Sequence, residues 1–132
     1  MVCSLCECIP DSHDHLFFGC SFARGVWDRL KDLACIDLST PNIYDIIGSL
    51  LPIVKKRTSK SVCAKLVVAA TAYFIWQERN WRLFKKGKRS TDQLVECVKA
   101  SVRLKLLSCK LKKSSDGERM ARLWDLPEAI FI

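Results

Sequence analysis

The sequence predicts a mainly α-helical fold in which a small N-terminal CCHC zinc finger is followed by about four helices. Two observations indicate this architecture. Four of the eight cysteines and both histidines lie within residues 1–20. Beyond them, apolar residues recur at helical spacing over most of the chain. A length of 132 residues is enough for one domain with a modest core.

The predicted finger is based on ligand spacing. Zinc takes four ligands in a tetrahedron, drawn from thiolates and imidazoles. Cys3 and Cys6 form a C-x2-C pair, which one tight turn can direct at a single ion. His15 and Cys20 complete the pattern C-x2-C-x8-H-x4-C, whose second half has the spacing of zinc knuckles. Cys8 and His13 remain alternative ligands, because His13 and His15 point to the same side of an extended segment.

Other uses of these cysteines are less consistent with the sequence. Reduced cysteines often act as small buried hydrophobic residues, but such residues need not cluster. A disulfide framework needs an oxidising compartment, and no secretory signal opens the sequence. We therefore expect an intracellular protein, nuclear or cytoplasmic. The longest uncharged apolar run, residues 66–76, is shorter than the roughly twenty residues of a membrane helix, so no membrane partner is expected.

The first half of the chain predicts two amphipathic helices. Ser21 is an expected N-cap for a helix over residues 22–34, with an apolar face of Phe22, Val26, Trp27, Leu30 and Leu33. A second helix is expected over residues 41–51, because Thr40 is a good N-cap and Pro41 a good first helical residue. We divide the chain into a zinc-binding finger with its first helix, residues 1–34, and a basic helical region, residues 35–132.

The second half predicts two longer helices after a basic linker at residues 54–61. The longest helix should span residues 59–85, close at Gly87 and be buried on all sides over residues 66–76, where it is almost entirely apolar. Ser90 and Gln93 form a capping box that should start a helix reaching residue 113. Its apolar stripe is Leu94, Val98, Val102, Leu106 and Cys109. Residues 114–117 are expected to be a loop, followed by a last helical turn over residues 119–124.

The charge is concentrated in the middle of the chain. Residues 1–54 hold three basic and seven acidic residues, residues 55–113 hold seventeen and three, and residues 114–132 hold two and four. A basic stretch of this size predicts low-specificity binding of RNA or DNA. The expected contacts are Lys55, Lys56, Arg57, Lys85, Lys86, Lys88 and Arg89. The alternative is a solvated basic face that only keeps the helices soluble.

Several short motifs resemble the zinc-binding region that follows the reverse transcriptase in polyproteins of plant LINE-type, non-LTR retrotransposons. They are Cys3-x-Leu5-Cys6, Asp11-Ser12, Asp14-His15-Leu16-Phe17-Phe18-x-Cys20 and Ala23-x-x-Val26-Trp27. A weaker likeness to the helical tail of these polyproteins continues through Ala69-Ala70, Tyr73, Ile75-Trp76, Glu78-Arg79-Asn80, Phe84 and residues 102–105. The resemblance implies Cys3, Cys6, His15 and Cys20 as zinc ligands. It also implies a role in helping the reverse transcriptase, as partner, to hold RNA or DNA.

Catalysis by this chain alone is not expected. Reverse transcription needs clustered carboxylates that hold two metal ions, and no two acidic residues are adjacent in this sequence. A cysteine nucleophile needs a histidine base, but both histidines lie in the metal motif. Two functions remain open: a zinc-dependent nucleic-acid-binding accessory module, or a non-catalytic structural or protein-interaction remnant of a retroelement.

Overall fold

The fold is helical, as the sequence predicts. In this computed structural model the described residues are 2–12, 15–16, 20–34 and 58–131. Within these ranges the helices are α1 (Ser21–Leu30), α2 (Ser59–Leu83), α3 (Thr91–Leu107) and α4 (Ser115–Leu123), with 3-10 turns at Lys31–Ala34 and Glu128–Ile130. The expected helix over residues 41–51 and the linker residues Lys55, Lys56 and Arg57 lie outside the described residues. Each helix within these ranges is either too short or too polar to span a lipid bilayer.

The core forms where α1, α2 and α3 pack together, and α4 packs against α2. The predicted inner face of α1 is confirmed by buried Val26, Trp27 and Leu30, with Phe22 and Leu33 packed at its edge. The stripe of α3 is also confirmed, since four of its five predicted members are fully buried: Leu94, Val98, Val102 and Leu106. Cys3, Leu16 and Cys20 belong to the same cluster. The finger is therefore packed directly onto the helical core.

Helix α1 begins directly at a candidate metal ligand. Its N-cap is Cys20 rather than Ser21, and no side chain provides a capping hydrogen bond. The Cys20 carbonyl accepts the first helical bond, from Arg24 N–H at 3.0 Å. The prediction of Ser21 as the cap is wrong because the turn from the finger brings Cys20 to the cap position. The position of Cys20 is therefore fixed by the first turn of α1.

Helix α2 is the longest described element, and it is buried on one side only. Its Thr58 cap accepts a hydrogen bond from Ser61 N–H at 3.2 Å. Val67, Thr71 and Ile75 face the core, but Tyr73 and Trp76 remain 54% and 48% exposed. The predicted burial on all sides is wrong, because the described helices pack against the face that carries Ile75.

The end of α2 is set by Lys85 and not by Gly87. Lys85 has φ of 56°, while no glycine among the described residues has a positive φ. Lys86 N–H donates to Trp81 O at 2.8 Å and Lys85 N–H to Arg82 O at 3.2 Å. This pair of bonds is the Schellman motif, which needs a left-handed residue immediately after the helix. The basic turn, residues 85–89, then leads into the Ser90–Gln93 capping box of α3, which is confirmed.

The C-terminal predictions for α3 and α4 are wrong at their boundaries. Helix α3 ends at Leu107 instead of residue 113, because Leu111 pairs in parallel with Phe131 and donates to Ile130 O at 2.8 Å. Residues expected as a loop form the first turn of α4, where Ser114 Oγ accepts from Gly117 N–H at 3.0 Å. Tertiary pairing thus replaces the helical continuation that periodicity alone suggests.

Candidate metal centre

The first two ligands lie in a tight loop, residues 3–9, which we call the metal loop. Val2 and Pro10 form an antiparallel bridge that closes it. Inside, Cys3 N–H donates to Ile9 O at 2.8 Å and Glu7 N–H donates to Cys3 O at 2.9 Å. Glu7 adopts a φ of 60°, which turns the chain sharply after Cys6. The loop thus directs the Cys3 and Cys6 thiols to the same point.

The other two ligands are positioned by a turn that begins at Ser12. His15 N–H donates to Ser12 Oγ at 3.0 Å, and Leu16 N–H donates to Ser12 O at 2.9 Å. Cys20 N–H then donates to His15 O at 2.7 Å, which ties the third ligand to the fourth. Leu16 is fully buried and anchors this segment in the core.

Cys3, Cys6, His15 and Cys20 converge into one cluster. Their ligand atoms all lie within 4.8 Å of one another. Cys6 Sγ is 3.2 Å from His15 Nε2, and Cys3 Sγ is 4.0 Å from Cys20 Sγ. Tetrahedral zinc with Zn–S bonds near 2.3 Å separates two sulfurs by about 3.8 Å. The donor set and its spacing therefore fit a metal ion held in a closed, four-ligand structural site.

The geometry distinguishes the predicted ligands from one of the alternatives. Cys8 is exposed and does not belong to the cluster. His13 lies outside the described residues. Among the described residues, the remaining cysteines, Cys63, Cys97 and Cys109, lie in no group of metal-binding side chains. The described set is thus the C-x2-C-x8-H-x4-C pattern that the sequence predicts.

The thiols differ in acidity before any metal binds. Burial would raise the pKa of Cys6, but backbone N–H groups of Cys8 and Ile9 and the His15 side chain favour its thiolate, so the pKa is lowered to about 6. Burial raises the pKa of Cys20 to about 11, and the neighbouring Cys3 thiol adds to the rise. At neutral pH, Cys6 is therefore ready to bind a cation, whereas Cys20 must first lose its proton.

Arg79 and Arg82, in the last two turns of α2, hold the finger in place. The Arg79 guanidinium pairs with the Asp11 carboxylate, its Nε donating to Oδ1 at 3.1 Å. The hydrogen bond that Arg79 donates to Asp11 raises the pKa of Arg79, so this contact stays charged. Ser4 Oγ donates to Arg79 O at 2.9 Å. Arg82 Nη1 donates to Leu5 O at 3.1 Å, inside the metal loop.

Arg82 also connects the metal loop to a buried carboxylate, that of Glu78. Glu78 is fully buried and accepts from Arg82 Nε at 2.8 Å, from Arg89 N–H at 2.8 Å and from Arg89 Nε at 2.7 Å. Burial alone would raise the pKa of Glu78, but these hydrogen bonds outweigh it and the pKa is lowered. Glu78 is thus an ionised carboxylate, which Arg82 and Arg89 neutralise.

Sequence reasoning did not find these supporting residues as part of the site. Glu78, Arg79 and Arg82 lie at the end of an apolar helix, and Glu78 and Arg82 have the i,i+4 spacing of a helical ion pair. A carboxylate and two arginines after an apolar run could have indicated a buried polar network. Their partners in the metal loop, about 75 residues earlier, are not visible from spacing.

The basic residues predicted to bind nucleic acid fall into two groups. Lys85, Lys86 and Lys88 are exposed, and in the described part of the chain none of them has an ion-pair partner. Arg89 is different: it pairs with Glu78, donates to Gln77 Oε1 at 3.0 Å and lies over the Trp81 ring at 4.2 Å. Internal contacts occupy its guanidinium, so among these predicted residues the three lysines are the ones whose charged groups remain accessible.

Comparison with protein-family models, with curated proteins and with solved structures gives no match for this chain. The class of protein is therefore defined by its fold and its site. It is a small helical protein whose N-terminal loop carries a three-cysteine, one-histidine cluster that could hold a metal ion.

Proposed function

We propose that this chain is a zinc-dependent nucleic-acid-binding accessory module of a retrotransposon reverse transcriptase, without the polymerase itself. The observation that carries the proposal is the convergence of Cys3, Cys6, His15 and Cys20 in the order and spacing of the zinc region that the sequence resembles. Three thiolates and one imidazole are a donor set that suits zinc. The ion would be structural, because four protein ligands leave no open coordination position.

The basic turn supports the nucleic-acid part of the proposal. Lys85, Lys86 and Lys88 are exposed within four residues, and the surrounding stretch is strongly basic. Phosphate contacts by such lysines give affinity with little base specificity and a steep dependence on salt. The finger itself is acidic, so its role is to shape and position this surface.

Metal content tests the first half of the proposal. Purified protein should contain one equivalent of zinc by elemental analysis, and His15→Ala and Cys20→Ser should each lose it. Cys8→Ser is the matched control, since the exposed Cys8 thiol lies outside the cluster. Zinc lost equally in all three variants, or absent from the parent, would contradict the proposed ligand set.

Nucleic-acid binding tests the second half. Fluorescence anisotropy with a labelled, unstructured single-stranded RNA should show binding that weakens steeply as salt rises. Removing zinc with a chelator should abolish that binding if the finger positions the basic turn. Unchanged binding by the metal-free chain would show that RNA binding does not need the metal. The chain would then be a basic helical protein that binds RNA independently of its metal site.

A second candidate function follows from the internal contacts of the finger. Asp11 and the metal loop are bonded to Arg79 and Arg82, so the cluster could serve only to fold the N-terminus onto the helices. In that case the chain is a structural or protein-interaction remnant with no independent nucleic-acid binding. Zinc-dependent stability without any salt-sensitive RNA binding would favour this function over the first.

A further inference from the structure

A cleft of about 390 Å³ separates the metal loop from the basic turn. Its lining comes from two segments that are distant in sequence but adjacent in the fold. The metal loop contributes Ser4 and Glu7, and the end of α2 with the basic turn contributes Arg82, Lys85, Gly87 and Lys88. The metal loop and two of the exposed lysines, Lys85 and Lys88, therefore share one concave surface.

The charges of this cleft favour an anion. Arg82 forms part of its wall but is already bonded to Glu78, Leu5 O and Arg89 O. Lys85 and Lys88 are exposed and, among the described residues, have no carboxylate partner. Glu7 is the one acidic residue that the described part of the chain contributes to the lining. The Lys85 and Lys88 ammonium groups outnumber the Glu7 carboxylate by one. One negatively charged group bound in the cleft would balance this excess positive charge.

Both walls of the cleft are fixed to the same buried carboxylate. Arg82 connects Glu78 to the metal loop, and Arg89 connects Glu78 to the far end of the basic turn. The left-handed conformation of Lys85 sets the direction of the turn between them. The separation of the two walls is therefore built into the fold and does not depend on flexible side chains alone.

We infer that this cleft binds a phosphodiester group of single-stranded nucleic acid, and that metal binding and nucleic-acid binding are thermodynamically coupled through it. The inference rests on the proposed function and assigns its contact point. Single strands are favoured because Phe84, next to Lys85, is 67% exposed and can stack on an unpaired base. Coupling follows because the metal fixes the loop that carries Ser4 and Glu7.

Linkage makes this coupling reciprocal. If zinc raises the affinity for the strand by some factor, the strand must raise the affinity for zinc by the same factor. Glu7 opposes the bound phosphate, so Glu7→Gln should strengthen binding. A cleft that binds the strand but merely lies near the metal would show the Glu7 effect without the reciprocal change in affinities.

The contact is tested with the double variant Lys85→Gln/Lys88→Gln and a labelled single-stranded RNA longer than the roughly 4–16 nucleotides covered by a small binding module. Each phosphate contact contributes about 0.7 to the slope of log affinity against log salt. Because the cleft holds one phosphodiester group, the variant should reduce the magnitude of the slope by about 0.7. Lys105→Gln/Lys112→Gln removes the same charge from exposed positions outside the cleft lining and should leave the slope nearly unchanged.

The coupling is tested by the apparent affinity for zinc, measured at equilibrium in competition with a chelator, with and without the RNA. The RNA should raise the zinc affinity of the parent and of the Lys105/Lys112 control, and should have little effect on the Lys85/Lys88 variant. Equal slopes for the two double variants would overturn the assigned contact and leave the proposed function standing. A zinc affinity that RNA does not change, in a parent that binds RNA, would overturn the coupling and with it the zinc dependence of the proposed binding. A parent that binds no RNA would overturn the inference and the proposed function together.

Discussion

Arg82 bonds the metal loop to the buried carboxylate of Glu78. Its Nη1 donates to Leu5 O at 3.1 Å while its Nε donates to Glu78 at 2.8 Å. The Arg82 guanidinium also lies over the Phe22 ring of α1 at 4.5 Å. One side chain therefore holds the finger, α1 and α2 together.

Replacing Arg82 with glutamine should destabilise the protein by about 3 kcal/mol, because it leaves Glu78 buried with one of its two cationic partners. The backbone carbonyl of Leu5 would lose its donor as well. Arg29→Gln is the control, since Arg29 pairs with Asp92 on the exposed surface, where such a pair contributes about 0–1 kcal/mol. Urea denaturation of both zinc-loaded variants measures the difference, and equal costs would contradict the role of Arg82.

The contribution of Glu78 should disappear in acid. Because its folded-state pKa is lowered, its ionised form stabilises the fold fully above the ordinary glutamate pKa of about 4.3. That stabilisation is lost as pH falls through the lower folded-state pKa. The difference in free energy of unfolding between the parent and Glu78→Gln should therefore narrow below about pH 4. Glu96→Gln, at an exposed site on α3, should show only a small difference at every pH, and a constant difference for Glu78→Gln would contradict the prediction.

Lys85→Gly should stabilise the protein. A left-handed conformation costs a non-glycine residue about 1 kcal/mol, which glycine avoids. Gly87→Ala should be close to neutral, since residue 87 has no positive φ and, among the described residues, an added Cβ would meet only Trp81, at 3.9 Å. Thermal unfolding compares the two variants. Loss of stability in Lys85→Gly would contradict the Schellman geometry at the end of α2.

Metal-free protein should react with iodoacetamide at Cys6 well before Cys20 at pH 7. The thiolate is the reactive form, and the pKa of Cys6 is about 6 whereas that of Cys20 is about 11. Zinc should protect both thiols. Since binding must displace the Cys20 proton, the apparent affinity for zinc should rise with pH. Mass spectrometry of the modified peptides measures the order, and equal rates for the two thiols would contradict it.

Phe84→Ala should weaken binding of single-stranded RNA by about tenfold, because stacking on one base is worth about 1–3 kcal/mol. Leu104→Ala is a matched control: Leu104 is 68% exposed against 67% for Phe84, but it lies on α3 away from the basic turn. Anisotropy at one salt concentration compares the two. Equal affinities would indicate that only phosphates are contacted.

The elements that the sequence predicted correctly depend on local patterns. The ligand spacing from Cys3 to Cys20 brings the four donors together because one short turn closes each half of the site. The Ser90–Gln93 capping box is equally local, and so is the burial of Val26 and Trp27 on one face of α1. The local sequence predicts Ser21 as the N-cap of α1, whereas the N-cap is Cys20. The preference for serine at a cap is weaker than the constraint that the finger places on the position of Cys20.

Helix ends were decided by contacts between distant residues. Helix α3 stops before its periodicity does because Leu111 pairs with Phe131. Helix α4 begins at Ser115 after the Ser114 cap, and its first turn fits against Ser59 and Phe131 because residue 117 is glycine: a Cβ there would approach Ser59 Oγ to 2.8 Å. Neither contact leaves a pattern in the local sequence.

Local sequence is enough to predict the candidate ligands, with Cys8 and His13 as alternatives, and the apolar faces of α1 and α3, because turns and helical periodicity are properties of neighbouring residues. The packing of distant segments is what lets Glu78, Arg79 and Arg82 support the metal loop and what places Lys85 and Lys88 across one cleft from it. These relationships join residues about 75 positions apart. They exist because burying the apolar face of α2 brings its charged end against the finger, where unpaired charges would be costly.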